Sequence, residues 1–300
     1  MRWLTAVEHL RDRRIAGVLV TLTAVRGHAP RDAGAKMVVS ARDTWDTVGG
    51  GNLEAVAVER ARAMLAEGVG VPQSFTSSLT DRAPSTHGVQ CCGGEVSVLL
   101  EPLAVVPAVA VFGMGHVGWE LARVLARHDL DLHLVDTRPE QLTEELLAVL
   151  AEPAARVRPH PVPALPELVL PTLPRGTHVL VMTHDHAEDA ALVDAALRTE
   201  GLATVGLIGS SAKWARLRGR LLEAGLSEED LARVVTPIGL PGLPGKDPAT
   251  IAVSVAADLL VRFAAGARTV GAAPGSAAVA PGSATVPPGS ATVARGSATT

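Results

Sequence analysis

From Val105 to Ala265 short apolar runs alternate with amphipathic stretches of helical period, and this alternation restricts the fold more than any other feature. Val109–Phe112, Leu132–Val135, Val179–Met182 and Ala203–Ile208 read as strands apolar on both faces. Between them, His116–His128 carries Val117, Leu121, Val124 and Leu125 on one side, and Glu188–Arg198 and Ala212–Ala224 read as further helices. A strand apolar on both faces needs cover on both, which crossover helices supply. The pattern therefore predicts an α/β fold with a Rossmann-like, doubly wound parallel sheet. A last helix over Pro248–Ala265 begins at Asp247-Pro248, because proline suits a first helical turn. Residues 151–176 are rich in proline and carry no assignment.

The motif Gly113-x-Gly115-x-x-Gly118 falls between the first of these strands and its helix. Glycines there permit a tight turn and let main-chain N–H groups approach phosphate oxygens. Asp136 ends the second strand, where folds of this kind place an acceptor for ribose hydroxyls. Gly113, Gly115, Gly118 and Asp136 are thus candidate cofactor-binding residues, and Arg138 reads as a solvated side chain beyond them. Thr183-His184-Asp185-His186 lies at the carboxyl end of a strand, the end that faces the ligand crevice in open α/β sheets. His184 is a candidate crevice residue and Asp185 a candidate helix cap. Lys213, Arg216 and Arg220 share one helix side and read as a solvated basic face. An NAD(P)-dependent oxidoreductase using the glycine turn, with His184 moving the proton, is one reading of these residues.

The first hundred residues read as a small mixed α+β domain: a helix over 4–14, strands Val18–Val25, Lys36–Ser40 and Glu95–Leu100, and a helix over Leu53–Leu65. The expected organisation is residues 1–104, then the Rossmann-like domain over 105–265, then a tail over 266–300. In the tail Pro-Gly-Ser-Ala recurs every seven residues from Pro274. Proline and glycine inside the repeat exclude a coiled coil, and a disordered segment is expected. Gly49, Gly50, Gly51 and Asn52 precede the 53–65 helix and form a candidate anion seat, with Asn52 as N-cap and Arg31 and Lys36 as nearby cations.

Of the 300 residues 27 are basic and 31 acidic, a balance that excludes a strongly basic nucleic-acid binder. Three Phe, four Trp and no Tyr also exclude a base-stacking platform. No run reaches the roughly 18 uninterrupted apolar residues of a membrane span, and no signal-type segment opens the chain, so a cytoplasmic protein without membrane partners is expected. The two cysteines, Cys91 and Cys92, are adjacent, which excludes a disulfide framework and fits a reducing compartment. Gln90-Cys91-Cys92-Gly93-Gly94 puts thiols beside glycines, which leave sulfur approachable and supply N–H groups that stabilise a thiolate. A soft thiolate suits a soft metal or a sulfur-rich ligand.

Four stretches together resemble the XdhC/CoxI family of xanthine dehydrogenase accessory proteins. They are Val18–Met37 with Gly49–Glu54; Gln90–Gly94 with Glu101; the Gly113 turn with Asp136; and Thr183–Asp185 with Gly206–Ser210, Lys213, Arg216, Pro237–Leu240 and Gly245–Pro248. The Pro237-Ile238-Gly239-Leu240 stretch resembles the XdhC branch. His28 stands where the family has a small Ser-like residue, and Thr236 where a Cys is frequent. The resemblance implies a carrier and insertion chaperone rather than an enzyme. Such a protein binds molybdenum cofactor (molybdopterin) while a terminal oxo ligand is exchanged for sulfur from a cysteine desulfurase, then delivers it to apo-xanthine dehydrogenase. It further implies a homodimer, with Cys91, Cys92, Gly93 and Gly94 in contact with the cofactor and the two sulfurs reaching its molybdenum.

Overall fold

Helix α1 (Trp3–Arg13) buries Ala6 and Leu10 against Val38 of a five-stranded antiparallel sheet. That sheet comprises β1 (Gly17–Arg26), β2 (Lys36–Ser40), β3 (Thr44–Asp46), β4 (Gln73–Ser78) and β5 (Glu95–Leu103), in the order β3-β2-β1-β5-β4. Helix α2 (Gly51–Glu67) lies between β3 and β4 in sequence. Alternation along the strands sets the two faces. Val18, Val20, Leu22, Met37 and Val39 meet Leu53, Ala57, Ala61 and Met64 of α2, while Val38 turns to α1. The structure is a computed structural model that describes residues 1–79, 93–150, 152–243 and 245–269. Cys91, Cys92 and the expected tail from Val270 onward lie outside the described residues.

The second half runs β6 (Ala108–Phe112), α3 (His116–Leu125), β7 (Asp131–Asp136), α4 (Glu144–Ala148), β8 (Arg156–Pro161), β9 (Thr177–Val181), α5 (His186–Arg198), β10 (Thr204–Leu207), α6 (Ser211–Glu223), α7 (Glu228–Ala232), β11 (Val234–Val235) and α8 (Pro248–Thr269). Its sheet is parallel throughout, in the order β8-β7-β6-β9-β10-β11. This is the doubly wound arrangement expected from sequence. On one face Val109, Val111, Leu132 and Leu134 pack with Leu121 and Leu125 of α3 and Val255 and Leu259 of α8. On the other, Ala110, Phe112, Val179 and Val181 pack with Leu192, Val193 and Ala196 of α5 and Leu217 and Leu221 of α6.

The structure fills one gap in the sequence reading and corrects two expectations. The unassigned proline-rich stretch contains β8, an edge strand; an edge accommodates Pro159 and Pro161 because one side of it needs no ladder donors. Helix α2 starts at Gly51, so Asn52 sits inside its first turn and is buried rather than capping it. Helix α8 runs four residues past Ala265 to Thr269. Over Pro248–Ala265 it is long and apolar enough by composition to cross a membrane, with a mean hydropathy of 1.5. Yet its Ala252, Val255, Ala256 and Leu259 pack in the core against α3.

The two halves meet through ion pairs between α1 and the start of two strands of the parallel sheet. Arg14 pairs with Asp131, Asp12 with Arg156, and Arg11 with Asp129 at 2.7 Å. Asp131 and Arg156 are the first residues of β7 and β8, so this junction lies at the amino edge of the sheet.

Candidate functional site

The strand order reverses between β6 and β9, and a parallel sheet opens a crevice at the carboxyl ends of the two strands flanking such a reversal. Gly113 follows β6 there and Met182-Thr183-His184 follows β9. Close packing explains two of the three glycines. A Cβ on Gly113 would stand 2.5 Å from the Met182 carbonyl oxygen, and one on Gly118 would stand 2.3 Å from that of Gly113. Gly115 is different: a Cβ there meets nothing within 4 Å. Its empty side faces a cavity of about 920 Å³.

The first two turns of α3, from Gly115 to Arg123, form one wall of this cavity. Arg138 and Gln141 come from the segment after β7, Leu146 and Val149 from α4 and just beyond it, and Met182 to His184 from the end of β9. Ile208 and the start of α8, Asp247 to Ala249, complete it. The Asp247 carboxylate accepts from the Thr250 N–H at 3.0 Å, which caps α8; hydrogen bonding with Thr250, side chain first and then main chain, holds that carboxyl below its ordinary range. The walls are mostly apolar; His116, Glu120, Arg123, Arg138 and His184 supply charge or hydrogen-bonding groups. Gly115, Gly118 and His184 thus meet in one space, as their spacing in sequence anticipates.

Asp136 does not open into it. The residue is 3% exposed, and its carboxylate is held by four donors: the N–H groups of Met114 and Arg138, and two nitrogens of the Arg138 guanidinium. The hydrogen bonds from Arg138 and Met114 outweigh burial and lower its pKa. Arg138 is correspondingly no solvated side chain. Beside it, the Thr137 hydroxyl donates to Glu188 at 3.2 Å, and burial, with the charge of Asp136 added, raises the Glu188 carboxyl.

The loop that carries His184 rests on a buried ion pair that sequence reasoning missed. Asp189 is fully buried in the first turn of α5 and pairs with Lys213 of α6. Its other oxygen accepts from the Thr183 N–H at 3.2 Å and hydroxyl at 2.9 Å. Lys213 also donates to the Ile208 carbonyl at 3.0 Å, so it ties β10 to β9 rather than joining a solvated basic face. Asp185 caps α5 through the N–H groups of Ala187 and Glu188, as expected. Among the described residues no group of three or more His, Cys, Asp or Glu side chains is arranged to hold a metal ion.

With this geometry in place, the comparisons are specific. A family model described as the XdhC Rossmann domain matches residues 109–259, and one described as the XdhC and CoxI family matches residues 10–75. The chain belongs to the XdhC and CoxI family. A curated relative, the uncharacterized protein YqeB of Escherichia coli (strain K12), is 25% identical over 260 residues, 87% of this chain. The chain spans about half, 46%, of that relative's length. A solved structure described as a xanthine dehydrogenase from Bacillus halodurans is 18% identical with a TM-score of 0.42, covering 89% of this chain and 96% of its own. An imine reductase from Streptomyces aurantiacus is 16% identical with a TM-score of 0.28, covering 52% of this chain and 62% of its own.

The XdhC/CoxI motifs of the first half converge at one end of its sheet. Gly94 packs where a Cβ would stand 2.2 Å from the His28 carbonyl oxygen, and a Cβ on Gly49 would stand 2.9 Å from Pro30. Leu79 and Gly93, the described residues on either side of the cysteine-bearing segment in sequence, are joined there: the Leu79 N–H donates to Gly94 and the Gly93 N–H to Leu79. The exposed Arg31 lies against Gly49. Two expectations there are corrected. The turn before α2 is no open anion seat, because the Glu54 carboxylate already accepts from the Val48 and Gly50 N–H groups at 3.2 and 3.1 Å. Lys36 does not join Arg31. It donates to Thr21 at 2.8 Å and lies over the Trp3 ring on the α1 face. Among the described residues the cavity is lined by residues from 115 to 249, none of them from this group.

Proposed function

We propose that this protein is a molybdenum-cofactor carrier that matures xanthine dehydrogenase: it holds molybdopterin during sulfuration by a cysteine desulfurase and passes it to the apoenzyme in the cytoplasm. Family membership carries the reading. The crevice supports it by its chemistry: a roomy cavity, apolar walls for a flat ring system, and at its mouth a helix N-terminus, Arg123 and His116, which suit a phosphate. A carrier has to release what it binds, and a mostly apolar cleft with a few placed polar groups can orient a ligand without a covalent bond. In this reading Cys91 and Cys92 meet the molybdenum end of the cargo, where a thiolate suits a soft metal.

Transfer is the decisive experiment. The chain is purified from a molybdopterin-producing host and mixed with apo-xanthine dehydrogenase. Hydroxylase activity should appear in proportion to added carrier. Cys91→Ala and Cys92→Ala should lower the yield, and Gly115→Ala, which fills the open side of the glycine turn, should lower it too. An apoenzyme left inactive by a chain shown to carry molybdopterin overturns the delivery role.

A further inference from the structure

The crevice has the glycine turn of a dinucleotide site, yet its acidic residue is already satisfied. A ribose diol is anchored when its two hydroxyls donate to a carboxylate with free lone pairs, and a carboxylate has about four such positions. All four are taken at Asp136. Oδ1 accepts from the Arg138 N–H at 2.8 Å and Nε at 2.9 Å. Oδ2 accepts from the Met114 N–H at 2.6 Å and from Arg138 Nη2 at 2.9 Å. Two of these donors are main chain and survive any side-chain change. The other two form a bidentate guanidinium clamp, the strongest arrangement available to the pair. The Asp136 side chain is 2% exposed beneath it, while Arg138 is 32% exposed and lines the cavity.

We propose that Arg138 is a specificity-determining residue: by clamping both oxygens of Asp136 it closes the crevice to ligands anchored through a ribose diol, the nicotinamide and flavin adenine dinucleotides, and reserves it for ligands held by the glycine turn and the apolar walls. The inference stands apart from the identity of the cargo. It concerns what a residue two positions past the acid does to a glycine turn otherwise equipped for dinucleotides. Removing the guanidinium leaves one main-chain donor on each Asp136 oxygen and frees one position on each, the number a vicinal diol needs.

The test is a titration of the full chain with NADH and NADPH, read by nucleotide fluorescence, on the wild type, Arg138→Ala, and Arg138→Met, which keeps aliphatic cover over Asp136. Thermal melting selects variants that fold. The wild type should show no saturable binding of either nucleotide. At least one folded variant should bind NADH saturably, about tenfold or more below the lower bound on Kd that the wild-type titration sets, the scale of regained hydrogen bonds to a charged acceptor. Adding Asp136→Asn should abolish that gain. Saturable NADH binding by the wild type overturns the proposal. So do folded Arg138 variants that bind no better than the wild type. So does NADPH binding by the wild type that Arg138→Ala removes, since Arg138 would then be a phosphate acceptor. Molybdopterin content of the same preparations is measured separately, so failure of the clamp and failure of the carrier reading give different results.

Discussion

At the scale of single residues, the glycine turn separates packing from binding. Gly118 is needed because a Cβ on it would run into the Gly113 carbonyl; Gly115 has open space beside it. Gly118→Ala should therefore destabilise the fold by about 1–3 kcal/mol, the cost of overpacking, measured by urea unfolding. Gly115→Ala should leave the unfolding midpoint unchanged and reduce ligand uptake. Its backbone, at φ −80°, is one that alanine adopts freely. A second residue-scale prediction concerns acid. His133 is 5% exposed and stacks on His160, with its Nδ1 3.0 Å from His160 Nε2. Burial, then the charges of His160 and Arg158, hold its pKa at about 4 against the ordinary 6.5. Between those values the unfolded chain binds a proton that the folded chain refuses. Stability is thus full above pH 6.5 and falls as pH drops toward 4, by up to about 3 kcal/mol from this group. His133→Leu should flatten that window in unfolding curves taken at pH 7 and 4.5; an unchanged slope would assign the acid sensitivity elsewhere.

At the scale of elements, the central strands were legible because their surroundings are simple. β6, β7 and β9 are covered on both faces, and continuous apolar runs such as Val109–Phe112 announce it. The edges were not. β4 is Gln-Ser-Phe-Thr-Ser-Ser and β8 contains two prolines, so neither has the composition of a buried strand. Their pairing with β5 and β7 comes from tertiary position rather than local preference. Side-chain partnerships across elements were equally hidden. Nothing in the spacing of Asp136 and Arg138 fixes a bidentate clamp, nor in that of Asp189 and Lys213 a buried pair. The glycine turn and the Thr183-His184 segment were readable because loop geometry at a sheet switch point depends on local sequence. Helix α8 carries the element-scale prediction. Leu259→Ala, on its packed side, should cost about 2–5 kcal/mol in chemical unfolding. Val253→Asp, on its exposed side, should shift stability by no more than about 0.5 kcal/mol. A large effect of the second change would mean that the outer face is also covered.

At the scale of the whole molecule, two candidate clusters sit on separate halves. The ion pairs of α1 grip the amino edge of the parallel sheet, and the crevice opens at the carboxyl edge. Among these pairs Arg14–Asp131 matters most: the side chains are 17% and 3% exposed, so solvent screens them little. Asp131→Asn would leave the Arg14 charge without its partner at this junction. It should destabilise by about 3–5 kcal/mol and split the calorimetric transition in two, as the halves lose their coupling. A single transition with an unchanged midpoint would place the coupling in other contacts. The account as a whole rests on the crevice holding molybdopterin, and cargo content tests that most directly. The chain and its Gly115→Ala variant are purified from a molybdopterin-producing host, and pterin is assayed as its fluorescent oxidation product alongside molybdenum. The account predicts near-stoichiometric pterin on the wild type and a marked loss on a variant of equal stability; absence of pterin from the wild type, or equal loading of both proteins, would contradict it.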